Sequence, residues 1–268
     1  MSIPGIEKSG GACADLKADI PMSPLWDMGK TALFESQKNF DAMQKAIDYL
    51  TCKAKNKQTF ENNEKEFLKE IYEAFWWGGQ YKGWKEAARL ANHYVHGNGK
   101  PLSINPDIYR TSVIVKDTMT LMKKYIVELI KEKKHFQHVS SGDAGFYSKP
   151  YCNKLTNRMR NYKTQGQMRN GLLIAEQNNE RLQKSDNRFY LECINSKMGD
   201  KKVFTRWFVE NTYDFQPFEK ADFITDIPIK RPEFVLKMPD GLSFYMTKLG
   251  VAKEFQYRSE WSEIWQLE

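Results

Sequence analysis

The chain is predicted to be an α+β protein, with a helical first part followed by a mainly antiparallel β part. Three observations carry that expectation. Apolar residues recur at three- and four-residue spacing from about residue 33 to residue 130. The period drops to two in Val203-Phe-Thr-Arg-Trp-Phe-Val209. After Ser140-Ser-Gly-Asp143 the chain becomes richer in Asn and Gly. These mark an irregular leader at 1–28, a helical domain at 29–139 and a β-rich domain at 140–268.

The first helix is expected from Gly29 to about Ala54, on the spacing of Leu33, Phe34, Phe40, Met43, Ile47 and Leu50. A second fits Asn62 to Trp77, with Phe67, Leu68, Ile71 and Phe75 on one face and Gly78-Gly79 as its stop. A third runs Tyr81 to His96 and stops at Gly97-Asn98-Gly99. Pro106 suits a first helical turn, and periodicity resumes from Met119 to Ile130 before the basic end Lys131–Lys134. Short apolar stretches at Leu172–Ile174, Arg188–Leu191 and Val203–Val209 read as strands, with Asn195-Ser-Lys-Met-Gly-Asp200 as a hairpin loop and Phe255–Trp265 as a terminal strand.

With 268 residues, 41% hydrophobic and 28% charged, the composition excludes collagen-like, coiled-coil and wholly disordered chains. No apolar run is long enough to cross a bilayer. The formal net charge is +7 and the sequence pI about 9.0, which favours anionic partners. No arginine-rich arm or groove-reading motif is present, so nucleic acid is not an expected partner. The N-terminus lacks the pattern of a secretory signal, predicting synthesis in the cytoplasm. Cys13, Cys52, Cys152 and Cys193 form no Cys-x-x-Cys pair and read as buried thiols, although an even count permits disulfides.

All four histidines fall in His-x-x-His pairs, His93 with His96 and His135 with His138. On a helix such a pair projects from one face and suits zinc, but no Cys, Asp or Glu is spaced to complete either set. His93 also fits a packed histidine among apolar neighbours. The strongest candidate constellation sits where the alternating strand ends: Trp207-Phe-Val-Glu-Asn-Thr-Tyr-Asp-Phe215. There Asp214 suits a base or a divalent-cation ligand, and Tyr213 a hydrogen bond to a phosphate oxygen. A turn-capping aspartate with a packed tyrosine beneath it fits the same spacing.

Three segments, in order, resemble the colicin M family of lipid II-degrading bacteriocins. They are Leu90-Ala-Asn-His-Tyr-Val-His-Gly-Asn-Gly99 followed by Ser103-Ile-Asn105, Tyr213-Asp-Phe215, and Met246-Thr-Lys-Leu-Gly250 followed by Lys253-Glu-Phe-Gln256. The resemblance implies a helical domain before a half-barrel-like activity domain, and hydrolysis of a phosphoester or pyrophosphate bond in undecaprenyl-linked peptidoglycan precursor. It also implies a divalent cation, Mg2+ or Ca2+, with Asp214 as its ligand. Of the family's Asp-x-Tyr-Asp pattern, Asn211 stands at the first aspartate while Tyr213 and Asp214 match. The family's His-Arg pair is absent: the corresponding positions hold Lys220-Ala221 or Met238-Pro239, depending on the anchor used. Lys237 and Arg231 are the cations expected to replace it, with Asp240 as a second carboxylate and Lys220 and Arg231 on the substrate. A solvated charged loop that turns into a helix at Pro239-Asp240-Gly241 fits the same residues.

No receptor-binding or import segment of a colicin is found. The expected route is loading from the producer's cytoplasm into a contact-dependent secretion system, such as type VI, with action in the target's periplasm. The expected partners are a secretion-apparatus component, a cognate immunity protein and the lipid-linked precursor. Two other classes stay open: a non-catalytic binding protein on the same scaffold, and a membrane-perturbing toxin using the helix at Lys116–Lys134.

Overall fold

The computed structural model describes residues 13, 16, 37–132, 138–141, 144–152, 167–169, 172–176, 188–189, 192–199, 202–220, 224–228 and 235–266. Most of the leader, His135 and Arg231 lie outside them. The fold is α+β. It divides into two compact units, each made of two chain segments: Met1–Gly99 with Asp214–Glu254, and Lys100–Tyr213 with Phe255–Glu268. This partition follows contacts, whereas the expected boundary near residue 140 follows secondary-structure type.

The first unit holds helices α1 (Gln37–Lys55), α2 (Asn62–Tyr81) and α3 (Lys85–His96), the antiparallel pair β8 (Ile224–Pro228) and β9 (Val235–Pro239), and a helix α7 (Asp240–Lys248). Its core is built from Met43, Ile47 and Leu50 of α1, Leu68, Ile71 and Tyr72 of α2, and Leu90 and Tyr94 of α3, with Leu242 and Met246 of α7, all about fully buried. Burial at three- and four-residue intervals is the reason these segments are helices with one dry face.

Two helix ends differ from expectation. Helix α2 does not stop at Gly78-Gly79 but continues to Tyr81, and α3 starts at Lys85 rather than Tyr81. Gly79 serves packing instead: a Cβ there would lie 2.6 Å from the Cβ of Ala88, so its bare Cα lets α2 and α3 approach closely. The chain reverses at Gly83, whose φ of 75° suits glycine. At the start of α2, Glu61 and Glu64 form a reciprocal capping box, and the Glu64 carboxylate also receives Lys53 Nζ at 2.6 Å in a buried pair. Cys13 and Cys52 are joined by a disulfide. The thiol expectation therefore fails for these two, while Cys152 is buried with its Sγ donating to the Phe146 carbonyl at 3.2 Å, and the side chain of Cys193 lies outside the described residues.

In the second unit a five-stranded mixed sheet has the order β1-β10-β7-β6-β2, comprising β1 (Leu102–Ser103), β2 (His138–Ser140), β6 (Glu192–Gly199), β7 (Lys202–Tyr213) and β10 (Phe255–Gln266). All its pairings are antiparallel except β1 with β10. A smaller set joins β3 (Gln167–Arg169) antiparallel to β4 (Leu172–Glu176), and β4 parallel to β5 (Arg188–Phe189). Strand β7 keeps the expected alternation as far as Trp207, with Val203, Thr205 and Trp207 buried, but Phe208 is buried along with Val209, so both faces are covered there. The hairpin loop expected at Asn195–Asp200 is strand as far as Gly199, with a register shift between Asn195 and Lys197. The bulge absorbs the odd residue, and pairing of Gly199 with Lys202 puts the turn later.

Helices α4 (Pro106–Arg110), α5 (Val113–Lys131) and α6 (Ala144–Tyr147) complete this unit. Pro106 stands at the first turn of α4, as expected, and the side chain of Asn105 accepts from the backbone N–H of Asp107. The apolar face of α5, Val115, Met119, Met122 and Ile126, is buried. No described helix is long and apolar enough to cross a membrane.

Candidate functional site

A carboxylate cluster forms in the first unit, where the segment after Asp214 meets α7. Gln216 engages two of its members. Its backbone N–H points at Asp240 Oδ2 and its side-chain amide at Asp214 Oδ2, each at 3.4 Å. Asp240 opens α7, where a negative side chain complements the helix dipole. It is only 2% exposed, and its Oδ1 has no hydrogen-bond partner among the described residues. Burial therefore pushes its carboxyl up to about 6, the Gln216 N–H opposes that rise, and the charge of Asp214 adds to it. An acid of this kind is partly protonated near neutral pH.

Glu254 is the third member. Its carboxyl is raised above the usual range, first by desolvation and then by Asp214, with Lys248 opposing. Beside it, Tyr94 of α3 donates to the Ser243 carbonyl at 2.7 Å. A phenol has one hydrogen, so the 2.6 Å contact with Thr247 Oγ1 has the threonine hydroxyl as donor. Burial holds the Tyr94 hydroxyl well above the ordinary phenol range; the Thr247 bond opposes this, while Glu254 and Asp240 reinforce it. Tyr72 donates to Ser243 Oγ at 2.8 Å. Phe215 packs on Tyr94 edge-to-face, with ring centres 5.0 Å apart, and so holds the Asp214 segment against α3. Gly241 must lack a side chain, since a Cβ would lie 2.3 Å from the Phe218 ring.

The other sequence-selected residues stand as follows. Tyr213 ends β7 in the second unit, half-buried, its ring stacked on Phe255 at 5.1 Å. Asn211 is also on β7, where its Oδ1 accepts from the Thr212 N–H at 2.8 Å. It lines an open cleft of about 480 Å³ together with Gln256, Tyr257 and Arg258. Lys237 is exposed on β9, and its backbone N–H and C=O both pair with the Gln44 side chain of α1. The charge that acts on Asp240 is that of Asp214. Lys220 is exposed at the end of a turn closed by its N–H on the Pro217 carbonyl. Strands β8 and β9 occupy part of the stretch expected as a charged loop, and buried Asp240 is not part of a solvated one.

Sequence reasoning missed Tyr94, Gln216, Ser243, Thr247 and Glu254 as site residues. Tyr94, Thr247 and Glu254 stand inside the segments that carry the family resemblance, but helical spacing alone made Tyr94 a core residue. Nothing local marked Gln216 or Ser243, because their roles come from chain segments distant in sequence.

His96 Nε2 lies 2.9 Å from Glu73 Oε1, and a Cβ on Gly97 would strike the His93 ring at 2.4 Å. Among the described residues no three His, Cys, Asp or Glu side chains are grouped to hold a metal. No family model, curated protein or solved structure matches the chain.

Proposed function

We propose that the protein is an antibacterial toxin that hydrolyses a phosphoester or pyrophosphate bond of the undecaprenyl-linked peptidoglycan precursor. The single observation that carries this reading is the pairing of Asp214 with buried Asp240, which Gln216 bridges and which Glu254 and the Tyr94 network border. Two neighbouring carboxyls in unlike environments divide the labour of acid and base. Asp240, held at about 6, is the proton donor to the leaving oxygen, and half-buried Asp214 is the carboxylate beside it. Tyr94 stays a neutral phenol and fixes α3 to α7 beneath the pair. In this reading Tyr213 hydrogen-bonds a phosphate oxygen, and Lys237, Lys220 and Arg231 are candidate contacts for substrate charge.

Asp214, half-buried, fits a divalent cation of the Mg2+ type, which uses one or two protein carboxylates and completes its shell with water and substrate phosphate. Asp214 would hold it, and Asp240 keeps the proton it donates. When bound, the cation supplies positive charge to the developing phosphate oxygens, the service expected of the absent His-Arg pair.

The resemblance supports the lipid-linked substrate and the half-barrel description of the second unit. The Cys13–Cys52 disulfide supports action in an oxidising compartment such as the periplasm. Delivery by a contact-dependent secretion apparatus, and neutralisation by a cognate immunity protein, belong to the same proposal. The test is incubation of lipid II with the protein and Mg2+ or Ca2+, followed by separation of free polyprenol from sugar-linked phosphate products. Cleavage that survives undiminished in both Asp214→Ala and Asp240→Asn would refute the site. A second reading, precursor binding without turnover, is favoured by Asn211, whose side chain serves the local backbone where the family has a carboxylate. Tight binding of lipid II with no product at any cation concentration would select it.

A further inference from the structure

A second feature, in the other unit and independent of the hydrolysis proposed above, is a basic cleft of about 480 Å³ beside β10. Helix α5 contributes Lys116, Thr120 and Lys123, at a spacing that sets all three on one helix face. Arg110, the last residue of α4, lines it from a second direction, and Trp261, Ser262 and Glu263 from the strand. Three cations thus border the space with one carboxylate among them.

The internal pairing is uneven. Glu263 is matched by Lys123 at 2.5 Å, so that pair is close to neutral. Arg110 pairs with Asp107, Nε lying 2.6 Å from Oδ1, and both side chains are more than half exposed. A guanidinium carries five N–H donors, more than one carboxylate takes up. Lys116 forms no ion pair with any described residue, and Ser262 is exposed with its hydroxyl unused among them. Thr111 and Thr120 donate their hydroxyl hydrogens to the carbonyls of Asp107 and Lys116, which fixes these side chains along the rim. Buried Met119 and Trp261 floor the cleft. Lys116, with no ion pair among the described residues, and the planar Arg110 fork, shared with Asp107, stand with a hydroxyl donor above an apolar floor, an arrangement that suits a charged tetrahedral oxyanion.

We propose that this cleft binds a phosphate or diphosphate group through Arg110, Lys116 and Ser262. The group is carried either by a soluble phosphorylated molecule or by the headgroup of an anionic lipid, two sources that share the chemistry and differ in the assay.

The test uses the full chain at low salt, without added metal. Calorimetric titration with inorganic pyrophosphate is expected to give saturable binding. Lys116→Glu should weaken it by about tenfold or more, equivalent to about 1.4 kcal/mol. The same charge change in the first unit, Lys45→Glu on the exposed side of α1, should leave it unchanged. Flotation with phosphatidylcholine vesicles, with and without phosphatidylglycerol, separates the sources. Lys116-dependent flotation only with the anionic lipid assigns a headgroup, and Lys116-dependent pyrophosphate binding without flotation assigns a soluble ligand. Equal behaviour of Lys116→Glu and Lys45→Glu in both assays would overturn the proposal, because the attraction would then belong to overall charge. An unchanged circular dichroism spectrum and melting temperature for Lys116→Glu separates loss of binding from loss of fold. Hydrolysis of lipid II is not read in either arm, so the two proposals fail separately.

Discussion

The phenol of Tyr94 donates to the main-chain carbonyl of Ser243 at 2.7 Å, although 149 residues separate them in sequence. This bond ties the last turn of α3 to the helix that Asp240 begins. Tyr94→Phe strips the carbonyl of its donor and leaves the Thr247 hydroxyl to find another acceptor. The expected loss is about 1–2 kcal/mol of stability, read by urea denaturation. If the proposed chemistry holds, it should also lower turnover more than substrate affinity, because α7 carries the acid.

Asp240 makes the protein's stability depend on pH in an unusual direction. Its carboxyl titrates at about 6 in the folded chain against 3.8 as an ordinary aspartate, so between those values the native state holds more proton than the unfolded one. Its contribution is therefore most favourable in acid and is lost as pH rises through that window. The full difference is about 3 kcal/mol. Asp240→Asn should raise the melting temperature at neutral pH, flatten the profile between pH 4 and 6, and abolish hydrolysis. A variant that melts earlier than wild type at neutral pH would mean that the charged form is stabilised by something else.

Removing the Cys13–Cys52 link by the double change to serine should cost about 3–4 kcal/mol, from the 39-residue separation it closes. Thermal melts with and without reductant should coincide for the double variant and differ for the wild type.

Gly79→Ala should destabilise the first unit by about 1–3 kcal/mol, because the new methyl meets Ala88 at 2.6 Å. Ala88→Gly in the same chain should restore much of the loss, a compensation that helix propensity alone would not produce.

Much of the local structure was legible because it depends on neighbours in sequence. The dry face of α1 through Met43, Ile47 and Leu50 follows from spacing, and so does the alternation of β7 from Val203 to Trp207. What the sequence concealed depends on contacts made later in the chain. Gly79 looks like a helix stop until Ala88 is seen opposite it. Asp240 looks like a solvated turn residue until Leu242 and Met246 bury the helix it starts. Lys237 looks close to Asp240 by count, yet strand geometry gives alternate positions opposite faces, and Lys237 is exposed between buried Leu236 and Met238. The disulfide was open to either outcome, since two cysteines far apart carry no pairing signal of their own.

The first unit is assembled from Met1–Gly99 and a return segment that closes only at Glu254, and this has a consequence for synthesis. During translation the ribosome delivers α1 to α3 well before α7. The nascent α3 must therefore wait, with the Tyr94 hydroxyl lacking its Ser243 and Thr247 partners. A chain released before about residue 254 lacks part of the carboxylate cluster, so prematurely terminated products would be inert as well as prone to aggregate. For a molecule whose proposed activity would injure its own maker, late completion of the reactive corner is itself a form of protection.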